Sequence, residues 1–336
     1  MLSIRNKTPL EVALFPWIDA EGGEAAVLLI KGTFNLRNGK GSLPLSQAQV
    51  PVTRSDEYRG DPSSSSILYA SESCPTKPGT DIALIGHAYA PSGTVKAMDL
   101  TLKVGGLQKV VRVFGERKWF RAVGAWQMSH PVPFQSMPLV YERAFGGVDA
   151  KNGAHDARNP VGTGFAARNS AERLEGMALP NLESPEALIR TWDSRPEPVG
   201  FGFIAPSWTP RASYAGTYDE AWKKDRFPLA PQDFDERFFN AAPRGLIARP
   251  HLRGGEPVHV NGASKRGPLS FSLPLWTLQA TLSVRGKRSQ YTPLLETVII
   301  EPDEERIILS WKVTMPCARS FLYIDEAVVT GRMQES

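Results

Sequence analysis

Between Glu24 and Leu36 apolar and polar positions alternate. Ala26, Leu28, Ile30, Phe34 and Leu36 fall on one side; Lys31, Thr33 and Asn35 fall on the other. A period of two marks a half-buried strand. The turn Asn38-Gly39-Lys40-Gly41 follows, then a short strand near Leu43–Leu45. Asp81–Tyr89 (DIALIGHAY) is apolar on both faces, which suits a buried central strand. Val95–Val104 points Met98, Leu100, Leu102 and Val104 inward, and Val110–Phe114 returns after Gly105-Gly106, so a three-stranded meander is expected. In the last third the same spacing recurs in Leu269, Phe271 and Leu273, in Leu278, Ala280, Leu282 and Val284, and in Ile307, Leu309, Trp311 and Val313. Leu295–Ile300 lies among them, and Phe321–Val329 closes the chain.

The centre has no such period. From Val148 to Val199 the chain is punctuated by Asn, Gly, Pro and Arg, with short helices expected at Ser170–Met177 and Ser184–Ile189. A long irregular segment of this kind is usually functional or disordered. Tyr218–Arg226 is the best helix: Thr217 and Glu220 fit a capping box, Lys223, Lys224 and Arg226 suit the C-terminal end, and Pro228 stops it. The expected fold class is mainly β, with antiparallel sandwich- or barrel-like sheets, a long irregular central region and a few short helices. The expected division is an N-terminal β region (1–130), an irregular aromatic and arginine-rich central region (131–250) and a C-terminal β region (251–336). A sheet shared by the two ends would make one continuous large domain.

Composition narrows the function classes. Gly (29) and Pro (28) are numerous enough to imply many turns in the chain of 336 residues. Lys and Arg (39) nearly balance Asp and Glu (35), and no basic run has the length of a nucleic-acid tail. Cys74 and Cys317 stand alone, outside any C-x-x-C pair, so neither a disulfide framework nor a zinc site is indicated. Leu10–Trp17 carries Glu11 and Pro16 and is no signal peptide; the longest strongly apolar run, Ala25–Ile30, is too short for a bilayer. A cytoplasmic protein that engages neither membrane nor nucleic acid is expected.

Catalytic patterns are weak. Glu142, Asp219, Asp233 and Asp235 lie near aromatics, and Trp192, Trp208 and Trp222 would suit a sugar site. A glycosidase needs two carboxyl groups at a set separation across the sugar, and nothing fixes any two of these there; capping and pairing with arginine account for them better. His251 and His259 could meet across a hairpin, though such histidines are more often surface or core residues; His155 beside Asp156 is the one pairing to test, and no chemistry is expected from it. Ser63–Ser66 lacks a nucleophile elbow, and the glycines form no dinucleotide or phosphate loop. No catalytic, cofactor or metal residue is therefore assigned.

Aromatics and arginines dominate protein-binding hot spots, and they concentrate in the central region. The partner-binding candidates are Tyr141, Glu142, Arg143, Phe145, Trp192, Trp208, Arg211, Tyr218, Asp219, Trp222 and Arg226.

Ordered motifs add a resemblance. Phe15–Trp17, VLLIKGTFNL at Val27–Leu36, KPGTDIALIGHAYA at Lys77–Ala90, VFGERKW at Val113–Trp119 and the block Phe134–Gly147 follow one another. Asn159–Gly164, Leu179-Pro180-Asn181, Gly200–Phe203, Gly216–Arg226, Asp233–Asn240 and Ala242-Pro243 continue the series. In this order the chain resembles, nearly end to end, the type VI secretion effector adaptors of Gram-negative bacteria, first catalogued as a domain of unknown function. The resemblance implies a non-enzymatic adaptor or chaperone without a cofactor. Its implied partner is a toxin or its PAAR-bearing end, which it loads onto the VgrG spike. A carbohydrate-binding or glycoside-acting β protein is the alternative.

Overall fold

The computed structural model describes residues 3–37, 40–41, 43–149, 153–167, 174–317 and 320–334. It is mainly β, with three larger sheets. The first has six strands in the order Ile247–Ala248, Thr80–Leu84, Leu294–Glu301, Arg306–Pro316, Glu24–Asn35 and Glu11–Ile18. The pairing of Glu24–Asn35 with Arg306–Pro316 runs from Asn35↔Arg306 to Ala25↔Pro316, so strands from both ends of the chain share this sheet. The second sheet centres on the hairpin Ala97–Val104/Leu107–Phe114, flanked by Pro257–Asn261, Leu269–Ser272 and Lys40–Gly41 on one side and Leu182–Glu183 on the other. The third joins Ser3–Asn6, Ile324–Met333, Trp276–Val284 and Lys287–Tyr291. One apolar core draws on all three, with Ile30 and Ile299 from the first, Leu102 and Val111 from the second, and Ala280 and Val329 from the third.

The strand Glu24–Asn35 is not half-buried. Lys31 and Thr33, expected to face outward, are 2% and 1% exposed. Residues 49–77 cross this face and cover it with polar groups. Lys31 Nζ donates to Glu72 Oε2 (2.8 Å) and to the Pro51 carbonyl (2.9 Å). Glu72 also accepts from Thr53 N and Ser310 Oγ. Lys77 Nζ meets Asp81 Oδ2 at 2.8 Å, while Lys312 Nζ lies 3.3 Å from Glu296 and 3.1 Å from Cys74 Sγ. Burial opposes charge on Lys77, but Asp81, with Cys74 and Glu296, outweighs it and holds the amine above its ordinary value. Burial raises Glu296, against the pull of Lys312 and Lys77. Buried ions persist where each is paired and further hydrogen-bonded.

Other expectations change in instructive ways. Asp81–Tyr89 is two strands rather than one. Gly86 takes φ +150 and brings its backbone against the Asp303 carboxylate, where a Cβ would sit 2.9 Å from Oδ2. Thr80–Leu84 therefore joins the first sheet, while His87–Tyr89 pairs with Ser136–Pro138, and the expected meander keeps only its last hairpin. Ser184–Ile189 forms a turn rather than a helix, as does 174–177. The rest of the Ser170–Met177 expectation, and Asn38-Gly39, lie outside the described residues. The best helix is shorter, Glu220–Asp225. Asp219 is its cap, accepting from Trp222 N at 2.8 Å, because Thr217 is taken by Asp233 (2.9 and 2.7 Å).

Candidate functional site: a basic cleft and an aromatic knob

The block Tyr141–Gly147 organises the centre as a knot. Tyr141–Arg143 is one 3-10 turn, and Asn159, fully buried, donates to the carbonyls of Tyr141 (2.8 Å) and Phe145 (3.0 Å). Phe145–Gly146 pairs with Thr163–Gly164, and the backbones meet so closely that a Cβ on Gly147 would lie 2.6 Å from the Gly162 carbonyl. Three expected partner-binding residues make contacts within this scaffold. Glu142 accepts from Ser66 N and Oγ (2.7 and 2.8 Å), Arg143 holds Asn181 and Glu116, and Phe145 is 2% exposed in a satellite core with Trp119 and Leu179. Trp192 packs half-buried on the same cluster. These side chains are committed inward because the irregular chain has no ladder of its own and needs side-chain partners for its backbone.

Beside the knot opens a cleft of about 1040 Å³. Its walls come from the strand Leu107–Phe114, the turn at Ser184–Ala187, the stretch Glu197–Val199, the 3-10 turns Arg211–Tyr214 and Glu236–Phe239, and the segment Ala242–Arg249. Six cations line it: Lys109, Arg158, Arg211, Arg237, Arg244 and Arg249. Against them stand Asp99, Glu186 and Glu197. Arg158 is paired with Asp156, Arg237 with Asp235, and Asp99 with Arg112. Arg211 donates to the carbonyls of Phe238 and Ile204, both at 2.8 Å, and burial pulls its guanidinium below the ordinary arginine value. Lys109, partly buried on the wall, is pushed down to about 8 by loss of surrounding water, against the pull of Glu197. Tyr141 also lines the cleft; its ring meets Trp208 edge-on at 5.6 Å, and its buried hydroxyl has no partner. Burial raises that hydroxyl well above the ordinary tyrosine value.

A family profile described as "Uncharacterized protein conserved in bacteria (DUF2169)" matches residues 21–312. The chain belongs to this family. No curated protein and no solved structure matches it.

In this family member a second feature stands apart from the cleft. The helix Glu220–Asp225 and its flanks form a knob of stacked rings: Tyr218 lies 4.7 Å from Trp222, and Trp222 lies 5.7 Å from Phe227, both edge-on. Tyr218 is 55% and Phe227 68% exposed. The base is fixed, since Trp222 Nε1 donates to the Leu229 carbonyl, and Arg226 donates to Ala230 and, across to the first sheet's edge hairpin, to Ala20. The candidates thus separate into three places. Tyr141 and Arg211 line the cleft, with Trp208 buried against Tyr141. Tyr218, Asp219, Trp222 and Arg226 form the knob. Glu142, Arg143, Phe145 and Trp192 hold the scaffold. Lys109, Arg244 and Arg249 carried no sequence signal, because isolated basic residues on a strand and in turns look like ordinary surface.

Neither histidine pair forms. His251 faces the Lys77 carbonyl and His259 faces Ser270, while Asp156 is engaged by Arg158 rather than His155. Cys74 and Cys317 are unpaired thiols. Among the described residues no group of three His, Cys, Asp or Glu could hold a metal ion, and no helix is long and apolar enough to cross a membrane.

Proposed function

We propose that this protein is a cytoplasmic, non-enzymatic adaptor that captures a polypeptide partner. Following the resemblance of its motifs, the partner is a type VI secretion toxin or its PAAR-bearing end, delivered to the VgrG spike. The observation that carries the reading is the knob, where large rings are held in the open on a braced base. Exposed aromatics of this kind supply contact area at low entropic cost and recur at the centres of protein interfaces. Burying about 800 Å² on each partner suffices for a specific complex. The carbohydrate alternative has less support. Trp208 is 5% exposed, Trp192 packs on the satellite core and Trp222 sits between its own neighbours, so the three do not form one stacking platform. Asp233 and Asp235 are held by Thr217 and Arg237, which keep both carboxyls below the usual range.

The test is co-expression with the product of an adjacent toxin gene, followed by pull-down with wild type, Trp222→Ala and the doubly substituted Tyr218→Ala/Phe227→Ala. Capture by wild type and loss in both variants, with unchanged circular dichroism, is the expected result. Equal capture by all three would remove the knob from the interface. Arg143, a candidate from composition, is unsuitable for this test because it braces Asn181.

A further inference from the structure

Four cations of the cleft have no carboxylate at ion-pair distance among the described residues. Lys109, Arg211, Arg244 and Arg249 make no ion pair among the described residues; their hydrogen bonds go to carbonyl oxygens or, for Arg249, to Asn240 Oδ1 at 3.3 Å. Arg211 spends Nε and Nη1 on those carbonyls, leaving Nη2 uncommitted. Unpaired cations in a concave wall focus their field outward and favour an anionic occupant. Guanidinium groups in particular match the two oxygens of a carboxylate. A second observation is independent of charge: Tyr141 lines this cleft, and its buried hydroxyl has no partner. Buried polar groups almost always find one, so an acceptor that reached this donor from the cleft would satisfy it.

The walls between the cations are apolar. Pro185, Pro198, Val199, Ile204, Pro210 and Pro243 supply them. The cleft's volume, about 1040 Å³, sits at the upper end of small-ligand pockets. A phosphate cradle would collect backbone N–H groups at a helix N-terminus, whereas the only α-helix among the described residues, Glu220–Asp225, does not line the cleft. We infer that this cleft binds an acidic polypeptide segment, its carboxylates held by Arg211, Arg244 and Arg249 and its apolar side chains lying on the proline-rich walls. The inference deepens the adaptor reading and rests on it, since it names the chemistry of the captured segment.

Fluorescence anisotropy of a short labelled peptide of alternating Glu and apolar residues, with the full chain at low salt, tests it. The expected result is saturable binding that the Gln-for-Glu peptide does not show. Affinity should fall by about tenfold or more in Arg244→Gln/Arg249→Gln, since hydrogen bonds to charged groups are worth a decade or more of affinity. Both arginines are exposed, so the variant is expected to fold; Tyr141→Phe is the second variant and should also weaken binding at unchanged melting. Equal binding of the Gln peptide, or unchanged affinity in both variants, would overturn the inference. So would inorganic phosphate or a single-stranded oligonucleotide occupying the cleft arginines while the peptide does not. The pull-down separates the two levels. Failure of wild type to capture the toxin strikes the adaptor reading. Capture that is intact and indifferent to the cleft variants strikes only the acidic segment.

Discussion

Charge gathers in two places, and they differ in what each cation has to face. Beneath the first sheet, Lys31, Lys77 and Lys312 each meet a carboxylate in the dry interior. In the cleft, Lys109, Arg211, Arg244 and Arg249 have none at ion-pair distance among the described residues, although Glu197 stands near enough to act on Lys109. A buried ion without its partner is strongly destabilising, so the first set is bound to pair; in the cleft the exposed Arg244 and Arg249 bear little penalty, whereas Lys109 and Arg211 are partly buried and burial lowers both. Satisfied charge marks structure, and unsatisfied charge marks a surface open to a ligand. Asp81 joins the two regions: it pairs with Lys77 and also accepts from Asn240 Nδ2 and Ala241 N, which support the cleft wall.

The comparison breaks most violently at Asp81. Asp81→Ala strands Lys77 and frees Asn240, and should cost about 3–5 kcal/mol in urea denaturation; a cost under about 1 kcal/mol would mean that this layer is hydrated. Gly162→Ala comes next. Its Cβ would fall 2.8 Å from the Ala144 carbonyl and from Gly146 Cα, and overpacking of this kind costs about 1–3 kcal/mol. Thermal melting that matches wild type would show the knot to be loose.

A pH series sharpens the cleft side. Lys109 stands at about 8 in the folded protein against an ordinary 10.5, with Glu197 as its near carboxylate and the cleft arginines around it. Between these two values the unfolded chain keeps a proton that the folded chain has released, so stability contributed by this site rises with pH across that window. Below pH 8 the full cost of the charged amine is present. Lys109→Met should flatten the slope, and an unaltered slope would assign the titration elsewhere. Affinity for an acidic peptide should move oppositely, falling as pH rises through 8.

Smallest of all are the changes at groups with no ion-pair partner or, for Tyr141, no hydrogen-bond partner. Arg244→Gln and Arg249→Gln should each shift stability by no more than about 0.5 kcal/mol. Tyr141→Phe should leave stability unchanged or raise it slightly, because it removes a buried donor that nothing satisfies. A clear loss of stability in Tyr141→Phe would reveal a hydrogen bond inside the fold and withdraw the hydroxyl from the cleft.

The alternating strands were legible because an amphipathic sheet writes its period directly into the chain. Leu269–Ser272 and Trp276–Val284 bury the residues their spacing selects. The same logic misreads Glu24–Asn35, where lysine and threonine at alternate positions look solvent-facing and are covered by a segment about twenty to forty residues away in sequence. The block Tyr141–Gly147 looked specialised for binding, and most of its composition serves a turn. Gly146 takes φ +145 and Gly147 φ +109, and Asn159 is placed to bond the carbonyls of Tyr141 and Phe145 ahead of them.

By itself the sequence determined that the protein is mainly β, where the apolar faces of its longest strands lie, and that its aromatic and arginine residues gather in an irregular centre. Those properties depend on neighbours two or four residues apart. Only the tertiary structure decided which charges are paired and which stand open, because an ion pair such as Lys31 with Glu72, or the set of cations lining the cleft, is assembled from segments far apart in the chain. Charge acts through space and dielectric rather than along the backbone, so pairing was invisible until the chain was folded.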